Sequence, residues 1–197
     1  DVGTFTTGSD SFGQQAMERL VRRAREGVKV RVLLDGFGAL TLPRRYFDQL
    51  REAGGDVAVF RPLFSLRNIG PRNLRNHRKV TIADDRWLWS GGRNLAGEYF
   101  CGSDRYPEPW RDLSFDLRGN VAAAAARQFS HDWASVRKRK PRAIADRPSD
   151  ETPGGSLAQY LPSGPDQTED TAQALLIDAC FRAELRLMAI TPYFVPG

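Results

Sequence analysis

The chain has 197 residues, 41% of them hydrophobic, with 29 Lys and Arg against 24 Asp and Glu. This suits one large soluble domain or one and a half small ones, and no apolar run reaches the ~18 residues that a spanning helix needs. The net charge of +5 fits an anionic partner (phosphate, nucleic acid or an acidic lipid surface) as well as it fits a solvated Arg-rich surface.

No signal peptide opens the chain, and Asp1 and Gly197 both read as cut ends of something longer. Cys101 and Cys180 are too far apart for a metal-ligand spacing and form no disulfide framework, which fits a reducing compartment.

In chain order, Phe12, Ala16, Leu20 and Ala24 recur at helical spacing, predicting a helix over 11–27 that stops at Gly27. "VKVRVLLD" follows as a strand with Val28, Val30, Val32 and Leu34 on one face. A second helix is predicted near 43–53, then the strand "DVAVF". Helix, strand, helix, strand implies right-handed crossovers, so the fold class is α/β with a mixed, largely parallel sheet flanked by helices.

"KVTIA" and "RWLWSGG" read as two strands joined by a tight turn at Asp84 and Asp85. "DLSFDLRG" is a further strand and "NVAAAAARQFSHDW" a helix with an Ala-rich flank. The basic run "RKRKPR", 137–142, reads as a solvated helix end in preference to a lipid-headgroup contact. Trp87, Trp89, Trp110 and Trp133 read as core or cleft-wall residues in preference to an interfacial belt.

Composition makes 141–156 a linker between a first domain, 1–140, and the start of a second, 157–197. In that second stretch "LAQYLPSGPD" predicts a strand and turn, "TAQALLIDACFRA" a helix and "LRLMAITPYF" a strand.

The chemistry concentrates in "NHRKVTIADDRWLWSGGRN", residues 76–94. Alternate residues of a strand share a face, so His77 and Lys79 point one way and Arg78 the other. Lysine offers a fixed charge for phosphate oxygens, and a neutral imidazole attacks phosphorus or passes a proton near neutral pH. Gly91 and Gly92 let a ligand approach the backbone, and Asn94 adds an amide donor. Asp84 lies at the turn, an odd number of steps from His77, where anchoring the turn or pairing with a cation suits it better than catalysis. Few carboxylates cluster near His77, so no metal site and no cofactor is expected. His131, the other histidine, has no lysine two residues on and reads as a helix-surface residue.

The spacing H-x-K-x4-D-x6-G-G-x-N resembles the HKD signature of the phospholipase D superfamily at every defining position from His77 to Asn94. "AREGVKVRVLLDGFGA", "RNHRK", "WRDLSFDLRG", "SGPD" and "TPYFVPG" are similar to segments of bacterial cardiolipin synthases. Asp84-Asp85 departs from the family's frequent Asp-Gly, and Asn120 stands where it often has proline.

The resemblance implies a first catalytic half followed by a truncated second half, the two together building one site across a pseudo-twofold axis. It implies that His77, Lys79, Asp84 and Asp112 are catalytic and that Asn94, Gly91 and Gly92 bind substrate. His77 would be the nucleophile forming a phosphohistidine, and a histidine of the missing half would protonate the leaving alcohol. Asp112 would hold the second ring nitrogen of His77. The implied partners are a phospholipid substrate, an anionic membrane surface and the missing half, and the implied location is the cytoplasmic side of the inner membrane.

The rival readings are a hydrolase of the same family, a one-motif nuclease working as a homodimer, and a non-enzymatic half that only packs on a partner. "TPYFVPG" speaks against the nuclease, since it opens a second half that such an enzyme lacks. The intact His77, Lys79 and Asn94 speak against degeneracy.

Overall fold

Strand β1, Val2–Thr4, opens the computed structural model, which describes residues 1–43, 45–61, 75–146, 158–164 and 171–189. Helix α1, Ser11–Arg25, begins where the Asp10 carboxylate accepts the Gly13 N–H at 2.8 Å. It ends on Arg22, Arg23 and Arg25, which suit the negative end of the helix dipole. Its buried face carries Gly13, Val21 and Ala24, one position round from the predicted stripe. Phe12 falls off that face and stacks on Phe100 instead, ring centroids 4.2 Å apart.

Strand β2, Arg31–Asp35, is shorter than predicted, and Val28 lies outside it, exposed. Helix α2 is a short turn, Asp48–Glu52, leading into β3, Asp56–Phe60. Strands β4, Val80–Ala83, and β5, Trp87–Gly91, form the predicted hairpin. Asp84 and Asp85 take positive φ, 54° and 59°, as two-residue hairpin turns require. Strand β6, Ser114–Arg118, and helix α3, Asn120–Arg137, complete this part.

The sheet order is β3-β2-β1-β4-β5-β6. β1 pairs with β2, and β2 with β3, in parallel, whereas β1–β4, β4–β5 and β5–β6 are antiparallel. The sheet is therefore mixed rather than largely parallel. Parallel pairing needs a long crossover, which α1 and α2 supply, while a tight turn and a loop join the later strands.

Each face of the sheet carries its own core. Val2, Val30, Val32, Leu34 and Val57 pack with Val21, Ala24 and Leu50 under α1 and α2. Leu33, Ala58, Val80, Ile82 and Leu88 pack with Ala122, Ala125, Ala126, Phe129 and Trp133 of α3. The Ala-rich flank brings α3 close to the sheet, and so does Gly3, where an added Cβ would come within 3.1 Å of Val80 and 3.5 Å of Phe129. Of the tryptophans only Trp133 is fully buried. Trp87, at the start of β5, and Trp110, in the loop before β6, are exposed.

The chain divides into two compact units, Asp1–Tyr160 and Leu161–Gly197. Residues 141–146, the start of the predicted linker, are pinned to α3. Arg142 donates its N–H to Ser130 Oγ at 2.6 Å, and Arg127 donates to Asp146 at 2.7 Å. The rest of that linker, 147–156, lies outside the described residues.

In the second unit α4, Thr171–Arg182, forms as predicted. The predicted strands at 157–166 and 185–194 are not seen at 158–164 or 185–189, and their other residues lie outside the described ones. A strand needs a neighbouring edge to pair with, and the described part of this unit supplies only a helix.

Leu34 has no exposed surface. Leu34→Ala should lower the unfolding free energy by about 2–5 kcal/mol in urea denaturation. Leu113→Ala, at a position 59% exposed, should stay within about 0.5 kcal/mol of the parent.

Candidate active site

One end of the sheet gathers the exits of β1, β2 and β5 and the entries of β4 and β6, because β4 runs against β1 and each later strand reverses its neighbour. His77 and Lys79 lie in the extended run entering β4. His77 is exposed, and Lys79 is buried at 5% relative exposure. The Lys79 ammonium stands 2.8 Å from Nδ1 and 3.1 Å from Nε2 of His77, and donates to the His77 carbonyl at 2.9 Å. Phe5, just past β1, sets its ring 4.7 Å from the imidazole and 5.6 Å from the Lys79 nitrogen. This aromatic ring had no signal in the motif.

Burial lowers the pKa of Lys79 to about 8, against the pull of the Asp112 carboxylate, which raises it. Loss of water against its buried side, and then the charge of Lys79, lower the pKa of His77 below the ordinary imidazole value. Two cations in contact repel, so near neutral pH the stable state is a charged lysine beside a neutral imidazole. That imidazole has a lone pair for attack on an electrophile, and the ammonium can hold an anionic oxygen there.

Asp112 lies just before β6 and accepts the Leu113 N–H at 2.6 Å; it makes no hydrogen bond to a His77 ring nitrogen, contrary to expectation, and its charge acts on Lys79 instead. Its carboxylate packs on Gly92, where any Cβ would collide with it. Gly91 has φ 140°, and a Cβ there would strike the Leu113 carbonyl. The glycine pair thus lets the start of β6 close on the end of β5.

Asn94 is buried, and its amide is engaged within the chain. Its Oδ1 accepts from the Thr4 hydroxyl at 3.3 Å and the Thr6 N–H at 3.4 Å, and its Nδ2 donates to the Tyr99 hydroxyl at 2.7 Å. The structure does not bring Asp84 to this cluster. It sits at the hairpin turn, the far end of β4 from His77, because the strand between them is fully extended. His131 is exposed on α3. Among the described residues no group of three or more His, Cys, Asp or Glu is placed to hold a metal ion.

Followed by NMR in a His131→Gln background, His77 should titrate below the ordinary 6.5, and Lys79→Met should move its midpoint up. A lowered folded pKa means that the unfolded chain binds more protons between that pKa and 6.5, so stability should rise with pH across that window and level off above it. Gly92→Ala should push the Asp112 carboxylate away and lower the Lys79 midpoint below about 8. An unchanged Lys79 midpoint would count against the placement of Asp112.

A family model described as "Cardiolipin synthase, PLD-like domain" matches residues 2–133. Cardiolipin synthase A of Pseudomonas putida (strain W619) is 34% identical over 196 residues, covering 99% of this chain and 40% of its own length. Cardiolipin synthase A of Pseudomonas aeruginosa (strain LESB58) is 33% identical over 195 residues, covering 99% of this chain and 39% of its own. Among solved structures, NucT from Helicobacter pylori aligns with a TM-score of 0.49 and 13% identity, over 70% of this chain and 77% of that one. The chain spans about 40% of the length of the curated relatives it matches. With its match across 2–133, the chain belongs to the phospholipase D-like domain family of cardiolipin synthases.

Proposed function

We propose that this chain is the first catalytic half of a phosphatidyltransferase of the cardiolipin synthase type. The observation that carries the reading is the Lys79 ammonium held 2.8 Å from the His77 ring at the open end of the sheet. In this scheme a neutral His77 nitrogen attacks the phosphorus of phosphatidylglycerol. The P–O bond to glycerol breaks, and glycerol leaves with a proton from an acid in the second half. A phosphatidyl-histidine remains. The hydroxyl of a second phosphatidylglycerol then attacks phosphorus, gives up its proton to that same group and releases cardiolipin, returning His77 to its neutral form.

Lys79 holds the phosphate oxygens through both steps. Asp112 favours the charged form of Lys79 in the resting site. Asn94 acts indirectly, since its amide ties the end of β5 to β1. Water in place of the second alcohol would turn the same intermediate into a phospholipase product, so the choice between transfer and hydrolysis rests with whatever surrounds the acceptor.

A phospholipid substrate would place the work at a membrane surface. Among the described residues no helix is long and apolar enough to cross one. Two cations of the basic run at the end of α3 are paired within the chain. Arg137 pairs with Asp56 and Arg142 with Asp85, and both pairs lie at the sheet end away from His77.

The purified chain should not turn over phosphatidylglycerol in vesicles, whereas a protein extended by the missing half should, and His77→Ala should abolish that turnover. Loss of a positioned general acid alone costs ~10²- to 10⁴-fold in rate. Robust turnover by the chain alone, abolished by His77→Ala, would mean that two first halves complete a site and would overturn the reading.

A further inference from the structure

His77 sits between two residues that turn away from the open site, and both reach the same carboxylate. Arg78 donates through Nη1 to Oδ2 and Oδ1 of Asp132, at 2.9 Å and 3.1 Å. Asn76 donates through Nδ2 to Asp132 Oδ2 at 2.9 Å. Gln128, one helical turn before Asp132 on α3, donates to its Oδ1 at 2.9 Å.

Asn76 closes the loop. Its Oδ1 accepts the Arg78 N–H at 3.1 Å, across His77, and its own N–H donates to Asp35 Oδ2 at 3.0 Å. Asp35, at the end of β2, also accepts the Phe37 N–H at 2.8 Å and pairs with Arg75 at 3.7 Å. Asp132 and Asn76 are 5% and 7% exposed, and Asp35 1%.

A buried ion pair is poor value as a stabiliser. Its desolvation cost nearly cancels its attraction, and apolar residues of the same volume often do as well. What a buried polar cluster does provide is direction, since each bond fixes an angle that apolar packing leaves free. Here the directions converge on the residue before His77 and the residue after it. Two rigid elements, α3 through Asp132 and β2 through Asp35, hold that tripeptide from behind the site. The front face is left to the imidazole and Lys79.

We propose that Asp132 is a positioning residue of this site, a clamp on Asn76 and Arg78 that fixes the backbone on both sides of His77 and so aims its ring at Lys79 and the phosphorus. It touches neither substrate nor reacting atoms. The proposal rests on the phosphatidyl-transfer reading only for its activity arm.

The test compares parent and Asp132→Asn, both carrying His131→Gln at an exposed position so that His77 is the sole imidazole. In the chain itself, NMR titration and the rate of acylation by diethyl pyrocarbonate report on His77. In the protein extended by the missing half, kcat and KM are measured on phosphatidylglycerol vesicles. Asp132→Asn should lower kcat by about 10²-fold with KM little changed, as a small misplacement of a reacting group does. The His77 midpoint should move up toward 6.5 as the ring leaves Lys79, and its acylation rate should change with it.

A purely structural ion pair would lower the unfolding temperature and leave kcat and the His77 midpoint at parental values in the folded variant, and that result would overturn the proposal. If Asp132→Asn does not fold, Arg78→Met removes the cation of the clamp and carries the same readouts. If the extended protein turns over no phospholipid, the phosphatidyl-transfer reading falls, and the titration and acylation results still decide the clamp.

Discussion

Between the parallel and antiparallel parts of the sheet runs β1, bonded to β2 on one edge and to β4 on the other. Its three residues serve three different ends. Val2 enters the core under α1, Gly3 makes room for Phe129 of α3, and Thr4 reaches Asn94. The next two residues belong to the site, Phe5 beside His77 and Thr6 on the Asn94 amide. Remove this strand, and the crossover unit of β2 and β3 has no bonded neighbour in common with the meander of β4, β5 and β6. His77 stands where those two parts meet.

The electrostatics at that junction are tightly balanced. Lys79 is buried enough that its charge is costly, and it faces an imidazole whose pKa that same charge lowers. A single carboxylate, Asp112, offsets part of that cost. Behind the site the balance is local too, Asp35 with Arg75 and Asp132 with Arg78. An anionic ligand at the front pair would add to the compensation that Asp112 gives the lysine. The resting site is thus held in a state that an anionic ligand improves, which is how preorganised charge favours binding over bulk water.

Much of this was legible in the residues. "DVAVF" and "KVTIA" show strand alternation, Asp84-Asp85 marks a hairpin, and strand parity puts His77 with Lys79 and Arg78 opposite. β1 was not legible, because a three-residue "VGT" with a central glycine carries no period. The antiparallel share of the sheet was under-read because crossover helices announce parallel strands more loudly than short loops announce their absence. Asn94 shows a different limit. Residue type reveals that an amide is present, but only the fold reveals that Thr4, Thr6 and Tyr99 already use it. Asp132 was hidden for the same reason, as one acid in a helix whose partners lie far away in sequence.

The register of β1 also bears on how the molecule assembles. Val2 faces Val32 on one side and Thr81 on the other, so the central strand can find its second edge only after a long loop is closed. Closure of that kind is entropically expensive and slows folding relative to local pairing. The β4–β5 hairpin is local by comparison and can form first. The centre of the sheet is then a late arrival. Until it docks, β2 and β4 lack the strand that joins them, leaving two half-sheets with bare edges. For a chain folding in a crowded cell, that interval is when mispairing with another strand is most costly.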